Sequence, residues 1–461
     1  MTSIRTILLF VGLLWTAGAH SVPVHHYTVS INPQLRTLSV RACFDGAPPP
    51  ALVAPSPHAR YFVKADSDED DSKRLSLAAL PRDTCMNYRV DVGAIADLRQ
   101  LTLGSWIGAD MIVAPEVWLW RPEDHKGDIE IHFELPAGIA VSAPWRRLPD
   151  GNYRVGRTPA HWPALVAFGR FEERKIKVPG AMLRLAVLDG NPPANVDAVQ
   201  TWIEDAARAV VGLYGRFPVD RAQVLAIPQG RGDRPVTSGQ VLRGGAGAVQ
   251  LFINQRRPLK DFLADWIPTH EFTHLILPLL RRGGAWLSEG IATYYQNVLR
   301  ARDGRLSAQQ AWQALYKGFI KRGAKGSRDT TLLNASANIY RDRAYTRVYW
   351  GGAAIALLAD MQLRKQSGNK QSLDSALEKF DRCCQPWNRA WSAHEVLERL
   401  DDLTGTKVFT ALYRHHVTST AFPDLTDTYA ELGLKVRGNE IELRPAPYTH
   451  LRDAIMRGGQ R

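Results

Sequence analysis

Five residues, His270-Glu271-Phe272-Thr273-His274, followed after fourteen intervening residues by Glu289, constrain the fold of this chain more than any other feature. Residues four apart on a helix lie one above the other on the same face. A helix through this segment stacks two imidazoles, which can offer two nitrogens to one ion at about 2.0–2.1 Å. Glu271 is one position on, turned from that axis, where its carboxylate meets a water at the metal rather than the metal itself. Zinc lowers the pKa of such a water to about 7, and a nearby carboxylate can then take its proton for attack on a carbonyl. A catalytic zinc needs three protein ligands and one open position. Glu289, in Trp286-Leu287-Ser288-Glu289-Gly290, is the third ligand on this reading, and a helix, a turn and a second helix must bring it back over the first. The bland alternative is two core or surface histidines without metal, since Phe272, Leu275 and Ile276 would suit any buried helix. The glutamate on a second apolar helical run weighs against it.

With 461 residues the chain exceeds a single core and should divide into two or three domains. Arg5, the apolar run from Ile7 to Trp15 and the small residues Ala17-Gly18-Ala19 form the three parts of a secretory signal peptide, cut near Ala19. The mature protein is therefore expected to be exported, periplasmic or secreted; an uncleaved N-terminal anchor is the alternative. No later stretch reaches the roughly 18 apolar residues of a spanning helix, so no transmembrane span is expected in the mature chain. The net charge of +12 is scattered and accompanies no nucleic-acid motif. Nucleic acid is excluded as a partner on this reading, and a solvated basic surface, at most weakly drawn to anionic envelope surfaces, is expected. None of Cys43, Cys85, Cys383 and Cys384 has C-x-x-C spacing, which argues against a structural zinc knuckle. Cys43 and Cys85 are expected to pair. The neighbours Cys383 and Cys384 can be free, bonded to each other, or paired elsewhere.

From about Val24 to Lys177 the pattern is β. Asp128 to Leu135 alternates, with its apolar residues on one face, and turn signals such as Asp45-Gly46 and Pro136-Ala137-Gly138 recur. Trp106, Trp118, Trp120, Trp145 and Trp162 read as core of this sheet rather than a binding platform. The acidic run Asp66 to Asp71 lacks the glycine and glutamate of an EF-hand loop and reads as solvated. From Pro179 the pattern changes to a strand at Met182 to Leu188, a helix at Val196 to Tyr214 and a strand at Gln223 to Ile227. The glycine-rich stretch Gly239 to Ala248 leads into a strand at Val249 to Ile253, and it offers backbone to a close ligand or marks a flexible turn. Arg231-Gly232-Asp233 is taken as chance. Pro268 suits the first turn of the histidine helix and Pro278 ends it; Arg281 to Gly284 connects it to a helix from about Trp286 to Arg300. The remainder reads as helical, with capping boxes at Ser307/Gln310 and Ser392/Glu395.

His270-Glu271-Phe272-Thr273-His274 with Trp286-Leu287-Ser288-Glu289-Gly290-Ile291-Ala292-Thr293-Tyr294-Tyr295 resembles the gluzincin metallopeptidases. The order of a β domain, Leu213-Tyr214-Gly215-Arg216-Phe217-Pro218, the zinc helix and a helical region resembles the glycyl aminopeptidase family, and is similar to the larger family of zinc aminopeptidases, over residues 24–435. The resemblance implies a multidomain α+β chain: an N-terminal antiparallel β domain, a thermolysin-like α/β catalytic domain and a mostly helical C-terminal region. The corresponding segments are a signal peptide (1–19), a β-rich domain (20–178), the zinc domain (179–305), the helical region (306–445) and a tail (446–461). It further implies one catalytic zinc on His270, His274 and Glu289, Glu271 as general base, a peptide or protein substrate, and a tyrosine of a Tyr-x-x-Gly pattern at the oxyanion. The match is Tyr349 in Tyr349-Trp350-Gly351-Gly352, with Tyr345 second; the plain alternative is a tyrosine packed at a helix start. Two features depart from the family. The gap from His274 to Glu289 is short, and between Asp233 and Asp261 there is no carboxylate to hold a substrate ammonium, only the neutral Gln240 and Gln250. Exopeptidase and endopeptidase action therefore both stay open. A zinc-binding envelope protein that has lost catalysis, and a metal hydrolase of non-peptide substrates, are the competing functions.

Overall fold

The computed structural model describes residues 23–65, 74–124, 127–156, 164–243, 247–323, 329–384 and 389–458. The leader over residues 1–19, the acidic run from Asp66, Trp162 and Gly244 to Ala246 lie outside the described residues. Among the described residues the chain is mixed α+β, β-rich in its N-terminal part and helical in its C-terminal part.

In the N-terminal part the alternation read from Asp128 folds as the strand Asp128–Glu134, burying Ile129 and Ile131. It pairs in parallel with Val24–Ile31 in the middle of a mixed seven-stranded sheet. Thr37–Cys43 and Cys85–Asp91 run antiparallel with Cys43 opposite Cys85, and the two are disulfide-bonded (S–S 2.08 Å), as expected. Trp118, Trp120 and Trp145 are buried in the core. The Tyr27 and Tyr88 hydroxyls donate to the carbonyls of Trp120 and Trp118, each at 3.1 Å, which satisfies phenols that would otherwise be stranded in the sheet.

A second sheet has the strand order Glu173–Val178, Ala181–Val187, Arg221–Pro228, Gly247–Ile253, Val236–Arg243. Its inner strands Arg221–Pro228 and Gly247–Ile253 are buried along almost their whole length, as a sheet covered on both faces requires. On one face Ala186, Leu188, Leu225, Ile227 and Phe252 meet Ile112, Ala114, Leu165 and Ala167 of the N-terminal part. The buried Asp110 carboxylate fastens this junction, accepting from the backbone N–H of Arg170 (2.8 Å) and Asp189 (2.7 Å). Asp189 in turn accepts from the N–H of Ala109 at 2.7 Å. The glycine-rich stretch is no simple lead-in to a strand. Val236–Arg243 is itself a strand, antiparallel to Gly247–Ile253, and it forms the sheet's edge.

Helices pack on the other face. Val196–Val211 buries Val199, Trp202, Ile203, Ala206 and Val210, and the Asn195 side chain caps its first turn. Both capping boxes, Ser307/Gln310 and Ser392/Glu395, are formed. Cys383 and Cys384 are bonded to each other. Within the segment read as a tail, Thr449–Arg457 is a helix that buries Leu451, Ile455 and Met456 against the core. Three apolar residues over two turns were too short a pattern to reveal it. Among the described residues no helix is long and apolar enough to cross a membrane.

The two central helices, Ala285–Arg302 and Tyr345–Ser367, are buried on nearly every side and touch backbone to backbone at Gly290 and Gly352. A Cβ on Gly352 would stand 1.9 Å from the Trp286 carbonyl oxygen and 2.7 Å from the Gly290 Cα. Backbone cannot yield as a side-chain tip can, so Gly352→Ala is expected to lower the unfolding free energy by about 3 kcal/mol or more in a denaturant titration. Gly351→Ala meets only the Leu332 side chain, at 3.3 Å, and should cost far less. Equal losses for the two variants would refute the crossing as the constraint.

Candidate metal centre

The histidine helix spans Ile267–His274, with Pro268 in its first turn and the Asp265 carboxylate accepting from the Ile267 N–H at 2.7 Å. It buries Phe272 against Phe217 (ring centroids 5.4 Å apart) and ends where Pro278 approaches, because the residue before a proline leaves the helical region. Its C-terminal carbonyls do not go begging. The buried Arg243 guanidinium, from the edge strand, donates to the carbonyls of His274 and Leu277, each at 3.2 Å. The short gap to Glu289 is closed by a stapled turn. Leu279 and Arg281 exchange backbone hydrogen bonds with Trp391, and the Ser336 hydroxyl bridges the Gly283 carbonyl and the Trp286 N–H. Gly283 takes φ +89°, a conformation that disfavours other residues.

Helix Ala285–Arg302 then returns Glu289 to the histidines. Its Oε2 lies 3.2 Å from His270 Nε2 and 3.4 Å from His274 Nε2, and the three donors fall within 4.8 Å of one another. Two donors about 2.05 Å from one tetrahedral ion stand about 3.3 Å apart, so these separations suit a shared zinc. Two imidazoles and a carboxylate are also the nitrogen and oxygen donors that zinc takes. The outer ring nitrogens are already engaged: His270 Nδ1 with Gln296 Oε1 at 2.8 Å, and His274 Nδ1 with Ser288 Oγ at 2.9 Å. A carbonyl oxygen at Nδ1 requires the proton there, which leaves the His270 Nε2 lone pair directed inward.

Glu271 is buried beside this cluster, beneath the edge strand. A Cβ at Gly239 would come within 2.5–2.8 Å of the Glu271 Cγ, Cδ and Oε1, so the glycine makes the room the carboxylate occupies. Burial pushes the Glu271 carboxyl up, against the lowering charges of His270 and His274. Glu289 is held well below the usual range, because the two imidazoles outweigh the upward effect of its burial. For His270 burial acts downward, but the Glu289 hydrogen bond and both carboxylates prevail and raise it.

Tyr349 joins the group. Its ring stacks on His270 (5.9 Å, 17°), and its phenol stands within the field of the Glu289 carboxylate. Burial and the charges of Glu289 and Glu271 push that phenol far up, so it stays a donor. Tyr345, one turn earlier, is 40% exposed and packs edge-on against Tyr340 instead. Gln240 and Gln250 face each other across the hairpin, Gln240 Nε2 donating to Gln250 Oε1 at 2.7 Å. The five sequence-derived residues are thus brought together. Gln296, Ser288, Gly239 and Arg243 are the partners sequence reasoning passed over, although Gln296 lies seven positions after Glu289, on the same helical face. Removing them should show in the metal. Gln296→Leu and Ser288→Ala are each expected to weaken zinc binding about 10–100-fold in competition with a chelating dye. Unchanged affinity would mean that these contacts do not orient the rings.

No protein-family model matches the sequence, and no curated protein does. Solved structures do match in fold. An aminopeptidase N family protein from Idiomarina loihiensis aligns with a TM-score of 0.68 at 15% identity, over 90% of this chain and 79% of that one. A two-domain M1 zinc metallopeptidase variant bound to L-arginine aligns at 0.54 and 13% identity, over 88% of this chain and 95% of that one. An M1 zinc metallopeptidase from Deinococcus radiodurans gives 0.52 and 14% over the same shares. The chain has the fold of the M1 zinc metallopeptidases.

Proposed function

We propose that the chain is a zinc-dependent peptidase, with one ion held by His270, His274 and Glu289. The observation that carries this reading is the convergence of those three donors within 4.8 Å, beside a buried glutamate that is not one of them. The M1 fold supports it. On this reading residues 179–305 form a thermolysin-like catalytic domain between a β-rich domain (20–178) and a helical region from 306. That region takes in the helix Thr449–Arg457. The leader over residues 1–19 is read as an export signal, cut near Ala19.

Zinc held there supplies Lewis acidity toward water and toward the scissile carbonyl. The other steps belong to the chain. Glu271 takes a proton from the attacking water as its oxygen bonds to the carbonyl carbon. It then delivers that proton to the amine nitrogen as the C–N bond breaks. Tyr349, kept protonated, donates to the oxyanion that develops between these steps. Val236–Arg243, the last strand of its sheet among the described residues, adds the substrate backbone as a further strand, which lays the scissile bond above Glu271 beside Gly239.

Glu271→Gln keeps the shape of the site but removes the base, and is expected to lower kcat/KM by about 10²–10⁴ with zinc still bound. Tyr349→Phe should lose about 10²–10³, mostly in kcat. Removal of zinc by a chelator should abolish hydrolysis, and its return should restore it. Assays on free and N-acetylated peptides decide between end-trimming and internal cleavage. With Gln240 and Gln250 neutral, acetylated peptides are expected to be cut at least as well as free ones. A zinc-loaded protein that cleaves neither would leave only the competing reading of a binding module without catalysis.

A further inference from the structure

The junction between the second sheet and the N-terminal part changes character along its length. Alternate residues of the strands Ala181–Val187 and Arg221–Pro228 face the N-terminal part. Towards the ends of the strands these are Ala186, Leu225 and Ile227, which pack against Ile112 and Ala114. At their starts the same face carries Met182, Arg184, Arg221 and Gln223. The parallel register sets Arg184 beside Gln223 and Met182 beside Arg221. Here the junction opens into a cavity of about 270 Å³, walled from the N-terminal side by Trp145 and Arg147. The metal cluster is on the opposite side of the sheet. Ala222 and Val224 point that way, into the core that holds Phe272 of the histidine helix.

The cavity is cationic. Three guanidinium groups line it with one carboxylate, Asp220. Asp220 pairs with Arg221, and Glu173 pairs with Arg184 at 2.6 Å. The contacts of Arg147 are neutral: it donates to the Gly151 carbonyl at 3.3 Å and lies 5.8 Å from the centroid of the Tyr153 ring. Burial and then Glu173 push the Tyr153 phenol up, while Arg147 and Arg184 both act on it in the opposite sense, so the two guanidiniums converge on one side chain. Lys175 and Lys177, exposed on the adjoining strand opposite Arg184 and Met182, add to the positive field. Gln223 stands among these charges only 3% exposed. Its Nε2 donates to the Ser142 carbonyl (2.9 Å) and to Ser142 Oγ (3.3 Å), which fixes the direction of the amide. Its Oε1 has no donor among the described residues. A buried acceptor without a donor is costly, and a basic surface that only met solvent would need none enclosed within it.

We propose that this cavity is a ligand site of its own, which takes a small phosphate monoester bearing a hydroxyl group. Arg147 and Arg221 hold the phosphate with Arg184 beside them, and the hydroxyl donates to Gln223 Oε1. Planar guanidinium forks match phosphate oxygens two at a time. Trp145 and Met182 give the carbon skeleton an apolar wall. Ligand pockets usually hold about 300–1,000 Å³, so this one suits a small molecule rather than a polymer. Because its walls come from both sides of the junction, the bound ligand ties the N-terminal part to the sheet. The site is independent of the peptidase reading.

The experiment is calorimetric titration of the full chain, freed of phosphate, with glycerol 3-phosphate, inorganic phosphate and sulfate at constant ionic strength. Glycerol 3-phosphate is expected to saturate one site about tenfold more tightly than inorganic phosphate, and to raise the melting temperature. Arg147→Ala and Arg221→Ala should each weaken it about tenfold or more. Arg146→Ala removes the same charge one position earlier, on the other face of the strand Arg146–Arg147, and should leave binding unchanged. Gln223→Leu should bring the affinities for the ester and for inorganic phosphate together. Arg146 and Arg147 are both exposed, so their comparison stays decisive even where Gln223→Leu fails to fold. No saturable binding, sulfate bound as tightly as the ester, or equal losses in Arg146→Ala and Arg147→Ala would overturn the site. A folded Gln223→Leu protein that still prefers the ester would overturn the hydroxyl contact.

Discussion

Backbone contact between Gly290 and Gly352 governs the distances on which the site depends. Gly290 follows Glu289 directly, and Gly352 lies three residues after Tyr349. Where two helices touch without side chains between them, residues close to the contact are drawn together across it. The Tyr349 phenol therefore comes within the field of the Glu289 carboxylate although they belong to helices far apart in the chain. A methyl group at either glycine would push the helices apart and withdraw the phenol from the carboxylate. Trp286, whose carbonyl lies against Gly352, is tied through its N–H to Ser336, so the crossing also fixes the turn that delivers Glu289.

A second absence of side chain operates on the other wall. Gly239 lets the edge strand lie directly over Glu271, and Arg243 from the same strand grips the end of the histidine helix. The sheet edge and the helix are thereby one unit at two points, one steric and one charged. The Arg243 guanidinium is completely enclosed, and burial lowers its pKa to about 10. Even so it remains protonated near neutrality, as a cation facing the carbonyl end of a helix should be. A strand that moved relative to the helix would lose these bonds, and with them the register of the sheet edge over Glu271.

The candidate metal cluster was legible in the sequence because its geometry is local. Four-residue spacing in a helix and a short return to Glu289 leave few ways to arrange His270, Glu271, His274 and Glu289. Tyr349 could be reached only through family resemblance, since its placement depends on a crossing between distant segments. The Cys43–Cys85 pair and the buried Trp118 and Trp120 were likewise readable from composition and compartment. Gly239 was different. Glycines in a run signal turn, hairpin and close approach alike, and only pairing with Gly247–Ile253 assigns the residue to an edge strand. The helix Thr449–Arg457 escaped because its stability comes from core contacts rather than from a long periodic pattern.

Charge explains why these pieces serve a metal rather than one another. Glu271 is buried and Glu289 mostly so, and beside burial the charges of the two histidines and the other carboxylate act on Glu271. Imidazoles in the neutral form that ligates a metal would leave two negative charges in a confined space. Buried charges of one sign are costly unless a counter-charge is supplied. A chain carrying a net +12 could have placed an arginine there, as it does at Asp360, where Arg364 donates at 2.9 Å. Among the described residues no guanidinium is paired with Glu271. A dication balances the two carboxylates exactly once, and binding it therefore stabilises the fold that creates the site.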